Sequence, residues 1–289
     1  PIAQLGRLVP SGAQPLDVMP VLIEIAALAD PQRRDGRPDA IIGRGRALIP
    51  VLAAALAPDF AAATVTRALG AGSIAVIAAR ALGLDDSVAP IFDCALVLLA
   101  DHELNASSFT ARVAASTDAD PYACVAAALA TLSGPKHGSA SELIARFADE
   151  VGGPEHARAA VRALRKKGEV PPGFGHPLYP AGDPRTPPLL VITNELLATT
   201  RSAHARRART LLAIIDAVAD TARREPTKAE PSVDVGLAAL IAALGAQASA
   251  GSGLFAVART AGWLAHALEQ RAAGYLLRPR ARYIGVPVS

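Results

Sequence analysis

Three histidines stand beside helix-breaking or charged residues, in Ala100-Asp101-His102-Glu103, Gly134-Pro135-Lys136-His137-Gly138 and Gly173-Phe174-Gly175-His176-Pro177. A histidine in such a setting is accessible where the chain turns, and its ring exchanges a proton near neutral pH. Asp234 follows a polar stretch and opens an apolar one, so its carboxylate either caps a helix or acts as a base in a dry site. Arg185, Arg259 and Arg278 carry the fork of N–H donors that clamps carboxylates. Taken singly, each has a plainer reading. A lone histidine is commonly structural, an arginine commonly a surface charge, and an aspartate before an apolar run commonly a cap. His156, His204 and His266 receive no role.

Helices must position these groups. Val18, Val21, Leu22 and Ile25, then Leu48, Val51 and Leu52, recur at the three-and-four spacing of an amphipathic helix face, with a polar turn over 31–38 between them. Residues 89–116 read as one long, largely buried helix or a pair, and the charged run Asp101-His102-Glu103 is out of place in a plain core helix. Leu143, Ile144, Phe147 and Val151 mark a short helix, and 154–167 another, with Pro154 near its start and Gly168 past its end. Residues 171–188 are too rich in Pro and Gly for regular structure, yet hold His176, Asp183 and Arg185. Helical periodicity resumes over 189–201 and through Leu211, Leu212, Ile215 and Val218, then stops in the polar stretch 223–232. The least polar segment, 235–258, lacks the large side chains of a membrane span and reads as a buried helix pair broken at Ser249-Ala250-Gly251-Ser252-Gly253.

A chain of 289 residues, 51% hydrophobic and 19% charged, buries one or two full cores and is not disordered. About a fifth of the residues are Ala and only 4% are aromatic, which predicts an all-α protein of close-packed helices. The net charge of +3 is small and the arginines form no stripe interleaved with aromatics, so no nucleic-acid partner is expected. Anionic small molecules suit the arginines better. Cys94 and Cys124 sit in apolar contexts without metal-ligand spacing, which predicts reduced, buried thiols and no metal site. No segment of signal-peptide form opens the chain, and a cytoplasmic location is expected.

Order sharpens the site reading. Asp101-His102-Glu103-Leu104-Asn105-Ala106-Ser107-Ser108-Phe109, Gly134-Pro135-Lys136-His137-Gly138, Gly173-Phe174-Gly175-His176 with Asp183-Pro184-Arg185, and Val233-Asp234 follow one another. They are followed by Val257-Ala258-Arg259, Gly262-Trp263 with His266 and Glu269-Gln270, and Arg278-Pro279-Arg280. Over residues 85–285 this succession resembles the citrate synthase family. The resemblance implies an all-α homodimer with a large domain over 1–139 and 238–289, and a small domain over 140–237, closing over oxaloacetate and then acetyl-CoA. It implies that His137 meets the thioester oxygen as the enol forms, that Asp234 removes the methyl proton, and that His176 binds and protonates the oxaloacetate carbonyl. His102, Arg185 and Arg259 would bind the dicarboxylate, and Arg278 would come from the neighbouring subunit. The chemistry fits, because a thioester methyl is a very weak carbon acid whose base needs a partner donor to stabilise the enolate. Coenzyme A enters as a substrate and no cofactor is implied.

The chain departs from the family pattern at three points. Pro180 stands where a basic residue commonly meets CoA phosphate, Lys136 replaces an apolar residue before His137, and Ser141 replaces an Asn. The chain is also shorter than family members, with the deficit on the N-terminal side. Within the resemblance, a citryl-CoA lyase, a 2-methylcitrate synthase using propionyl-CoA and a noncatalytic dicarboxylate-binding homologue remain open alternatives.

Overall fold

A computed structural model describes residues 2–135, 137–138, 140–176, 178–199, 205–222 and 229–285. The fold is all-α: among the described residues the only β pairing is the isolated bridge between Phe174 and Pro231. The helices are α1 (Ile2–Leu8), α2 (Pro15–Ala29), α3 (Pro38–Ala54), α4 (Ala62–Leu69), α5 (Ile74–Ala81), α6 (Ala89–Leu99) and α7 (Ala106–Ala115). They continue with α8 (Pro121–Leu132), α9 (Ala140–Val151), α10 (Ala157–Lys166), α11 (Thr186–Thr199), α12 (Ala205–Ala222), α13 (Val233–Ala243) and α14 (Ser249–Ala273). Local sequence sets several boundaries. Side chains of Ser73, Asn105 and Asp120 accept from the first-turn N–H groups of Val76, Ser108 and Ala123, and Gly274 ends α14 in the left-handed region at φ +68°.

Two large hydrophobic cores form among the described residues, beside two small clusters. The larger gathers α14, through Leu254, Val257 and Trp263, with residues of α2, α3 and α5 to α8. Trp263 is fully buried there, and truncating it to Ala should cost about 3–5 kcal/mol. The smaller joins Ile144 of α9, Val161 of α10, Phe174 and Leu211 and Ile214 of α12. Helix α13 serves both, giving Val233, Leu237, Leu240 and Ile241 to the first and Val235, Ala238 and Ala239 to the second.

The 89–116 segment is a pair, α6 and α7, broken where the charged run falls. The 235–258 segment is also a buried pair, but its break lies at 244–248 and not at Ser249–Gly253. Gly245 takes φ +74° and turns the chain there, with Ala246 N–H donating to the Ile241 carbonyl at 3.1 Å. The small residues 249–253 instead form the first turns of α14, buried against their neighbours. Pro187 and Pro188 lie in the first turn of α11, where proline is tolerated, so the irregular loop ends at Arg185. Cys124 is buried, with its thiol pushed up to about 11 by burial, whereas Cys94 is only half-buried.

Candidate active site

The loop after α6 carries His102. Its position is fixed by α14: Arg259 Nε donates to the Leu99 carbonyl at 2.8 Å, Gly262 N–H to the Ala100 carbonyl at 3.1 Å, and His266 Nε2 meets Asp101 Oδ1 at 3.2 Å. Any Cβ at Gly262 would collide with the Ala100 carbonyl, so this approach needs glycine.

The loop after residue 171 carries His176. Gly173 has φ +83°, and a Cβ there would press on the side chains of Ile144 and Val235 at 2.6 Å. With Phe174 anchored in the smaller core, Ser232 N–H donates to the Gly173 carbonyl and Gly175 N–H to the Glu230 carbonyl, both at 2.9 Å. These two bonds hold His176 beside the start of α13, where Asp234 lies. Asp183 completes the tie. Buried to 3% exposure, it accepts from Arg185 Nε at 3.0 Å, Arg185 Nη2 at 2.7 Å, Arg185 N–H at 3.0 Å and Val233 N–H at 3.2 Å. Burial alone would raise the Asp183 pKa, but these bonds to Arg185 leave it lowered.

His102, His137, His176, Arg185, Asp234 and Arg259 all line one cavity of about 330 Å³. Six of the seven residues proposed from sequence thus meet across five separate chain segments. Arg278 does not: it is exposed on the segment that follows α14. Lys136 lies outside the described residues. Ser141 is buried against Gly251 of α14 and is not part of the lining, and Pro180 is exposed.

The cavity is electrostatically unbalanced. Arg259 is 1% exposed, yet among the described residues its Nη1 and Nη2 have no hydrogen-bond partner, and neither do Arg185 Nη1 or His102 Nε2. Buried donors without acceptors are costly, which marks a place where an anion belongs. Burial lowers the Arg259 pKa to about 10, with Arg185 adding repulsion. Burial also lowers the pKa values of His102 and His137, assisted by Arg185 and Arg259 for the first and by Arg259 for the second. Both rings are therefore biased toward the neutral form.

Asp234 does not cap α13. The residue before the helix is Ser232, and among the described residues Asp234 accepts from the Ser232 hydroxyl, at 3.3 Å, and from no backbone N–H. Burial raises its pKa, with Arg185 partly opposing. A carboxylate so placed gains basicity. His176 Nδ1 accepts from Leu178 N–H at 3.2 Å, which leaves the proton of the neutral ring on Nε2. His137 Nε2 lies 2.9 Å from Ser107 Oγ, which donates to Asn105 Oδ1 at 2.8 Å and accepts from Trp263 Nε1 at 3.2 Å. The Ser107 hydroxyl thus has one hydrogen to divide between Asn105 and His137.

Sequence reasoning assigned no role to Asn105, Ser107 or Asp183. Asn105 carries a local signal, as a cap ahead of a helix, and Asp183 lies two positions before Arg185, whereas Ser107 meets His137 and Trp263 far along the chain.

The family model for the citrate synthase C-terminal domain matches residues 2–280, so the likeness also takes in the N-terminal helices that the motifs left out. Citrate synthase 2 of Bacillus subtilis is 40% identical over 194 residues, covering 67% of this chain and 50% of its own length. Citrate synthase of Deinococcus radiodurans is 30% identical over 286 residues, covering 96% of this chain and 74% of its own. The first of these relatives shows that the chain spans about half the length of curated proteins it matches. In fold, the chain is similar to Thermoplasma acidophilum citrate synthase in its ternary complex with carboxymethyl coenzyme A and oxaloacetate, with a TM-score of 0.83 at 23% identity, over 100% of this chain and 77% of the other. On the extent of the family match and the identity of these relatives, the chain belongs to the citrate synthase family.

Proposed function

We propose that this chain condenses an acyl-CoA with a 2-oxo dicarboxylate, most simply acetyl-CoA with oxaloacetate, giving citrate and CoA. One observation carries the reading: a basic carboxylate and a set of unpartnered cationic and N–H donors share one cavity. The carboxylates of oxaloacetate would meet Arg185 Nη1, both Nη atoms of Arg259 and His102 Nε2. Asp234 then takes a proton from the thioester methyl. When Ser107 turns its hydrogen to His137 Nε2, the ring proton sits on Nδ1, which donates to the thioester oxygen as charge develops. The enol carbon bonds to the oxaloacetate ketone carbon, and His176 Nε2–H supplies the proton to the new alkoxide. Water then cleaves the citryl thioester, releasing citrate and CoA.

The same reading divides the chain into the large domain 1–139 with 238–289 and the small domain 140–237. Closure between them would exclude water from the cavity. It also takes the protein to be a cytoplasmic homodimer in which Arg278 reaches the neighbour's cavity, as its exposed position allows. No described helix is long and apolar enough to cross a membrane.

Thiol release from acetyl-CoA, followed with and without oxaloacetate, tests the reading. Release that requires oxaloacetate is expected, with propionyl-CoA run alongside to rank acyl donors. Intact oxaloacetate binding without thiol release from either donor would overturn catalysis in favour of a binding role.

A further inference from the structure

Tyr179 touches both loops of the cavity and has no part in the chemistry above. Its backbone N–H donates to the His176 carbonyl at 3.0 Å, and its own carbonyl accepts from Gly182 N–H at 3.1 Å, so the loop that orients His176 also fixes Tyr179. Its ring stacks on His102, with centroids 5.1 Å apart and planes within 18°, and lies 5.7 Å from the His176 ring. Its phenolic oxygen is 3.3 Å from His102 Nδ1.

We propose that Tyr179 is a positioning residue for the dicarboxylate subsite: its O–H donates to His102 Nδ1 and so keeps the ring hydrogen on Nε2, available to a substrate oxygen. The proposal rests on reading the cavity as a dicarboxylate site. A phenol is a better donor than acceptor, and Nδ1 of a neutral imidazole offers it a lone pair. The Nε2 atom is buried without a partner, and neither Arg185 nor Arg259 donates to it. An Nε2 lone pair would therefore face no donor when empty and would repel a carboxylate when filled. With Nε2–H, the same atom complements the charge that the two arginines attract. The neutral state that this needs is favoured by burial of His102 and by Arg185 and Arg259 around it. Stacking holds the ring plane, and the phenol selects which nitrogen carries hydrogen.

Tyr179→Phe separates these two tasks, because it keeps the ring and removes the hydroxyl. The tautomer of His102 is read from imidazole 15N shifts in histidine-labelled protein, with His102→Asn identifying the resonance. The parent should show the Nε2–H form and Tyr179→Phe a mixture of forms. Oxaloacetate Kd should weaken about fivefold to tenfold, the worth of one hydrogen bond, while kcat at saturation changes far less. Tyr179→Leu, lacking the ring as well, should weaken binding further. An unchanged tautomer and unchanged Kd in Tyr179→Phe would overturn the proposal. If the parent fails to bind oxaloacetate, the dicarboxylate reading falls, and the tautomer comparison still decides what Tyr179 does to His102.

Discussion

Among the cavities of the described residues, one of about 340 Å³ between α9, α12 and the end of α13 is nearly equal in size to the candidate active site of about 330 Å³. Both contain two arginines, but they use them differently. In the first, Arg207 forms a two-pronged bond to Asp149 at 2.8 Å for both contacts, and Arg206 bonds Glu155 at 2.8 Å, so the cations are answered from within the chain. In the second, Arg185 spends one edge on Asp183 and keeps Nη1 free, while Arg259 keeps both Nη atoms free. Volume and composition do not distinguish the two sites. Unmet hydrogen-bonding capacity does, and the histidines and Asp234 gather only around the cavity that has it.

That contrast can be broken most severely at Asp234. Asp234→Asn keeps the size and polarity of the side chain but cannot take a proton, so the rate of methyl deuterium exchange in acetyl-CoA should fall by roughly 10²–10⁴-fold. Melting and oxaloacetate binding should stay near those of the parent, because Asp234 caps nothing. Exchange at the parent's rate would move the base elsewhere.

Next comes the tie that aims Arg185. Asp183→Asn leaves a buried guanidinium half-answered and should cost about 3–5 kcal/mol of stability by denaturant unfolding, together with weaker oxaloacetate binding. The corresponding change in the other cavity, Arg207→Leu, should cost at most about 1 kcal/mol, because its partner Asp149 is 53% exposed. Activity in Arg207→Leu should match the parent's within about twofold. Equal losses in the two variants would erase the distinction between the cavities.

The smallest effect is in pH dependence. His102 and His137 have folded pKa values below 6.5, so the unfolded chain binds protons that the folded chain resists. Their contribution to stability is complete above about pH 6.5 and is lost as pH falls below it. Asp234, with its raised pKa, acts in the opposite sense as pH falls through its own folded value. Comparing His137→Gln with the parent at each pH removes that background: melting of the variant should decline less steeply from pH 7.5 to 5. Parallel curves would show that His137 is not held neutral by its surroundings.

Much of this was legible in the sequence. Three-and-four periodicity located α2 and α3, and Pro and Gly density located the loop that carries His176. The order of short motifs picked out six cavity residues that lie up to 157 positions apart, from His102 to Arg259. The break before α14 was misplaced because Ser249–Gly253 has the composition of a loop, whereas burial against neighbouring helices makes those small residues helical. Ser107 and Tyr179 escaped for another reason. Each works through a partner on a distant segment, Ser107 through His137 and Trp263, and Tyr179 through His102. Asp183 spends three of its four bonds on Arg185, two positions on, and only its bond from Val233 N–H is distant. Nothing within one window of sequence announces such a contact. The helix-capping reading of Asp234 was equally reasonable on local grounds, and only the position of Ser232 ahead of α13 removes it.

Calorimetric titration of oxaloacetate into the parent, Arg185→Leu and Arg207→Leu tests the central claim most directly, since each variant removes one arginine from one cavity. Binding should be retained in the parent and in Arg207→Leu, and weakened at least about tenfold in Arg185→Leu, which loses a charge-assisted contact. Undiminished affinity in Arg185→Leu, or a loss as large in Arg207→Leu, would contradict the assignment of the unpartnered donors to a dicarboxylate.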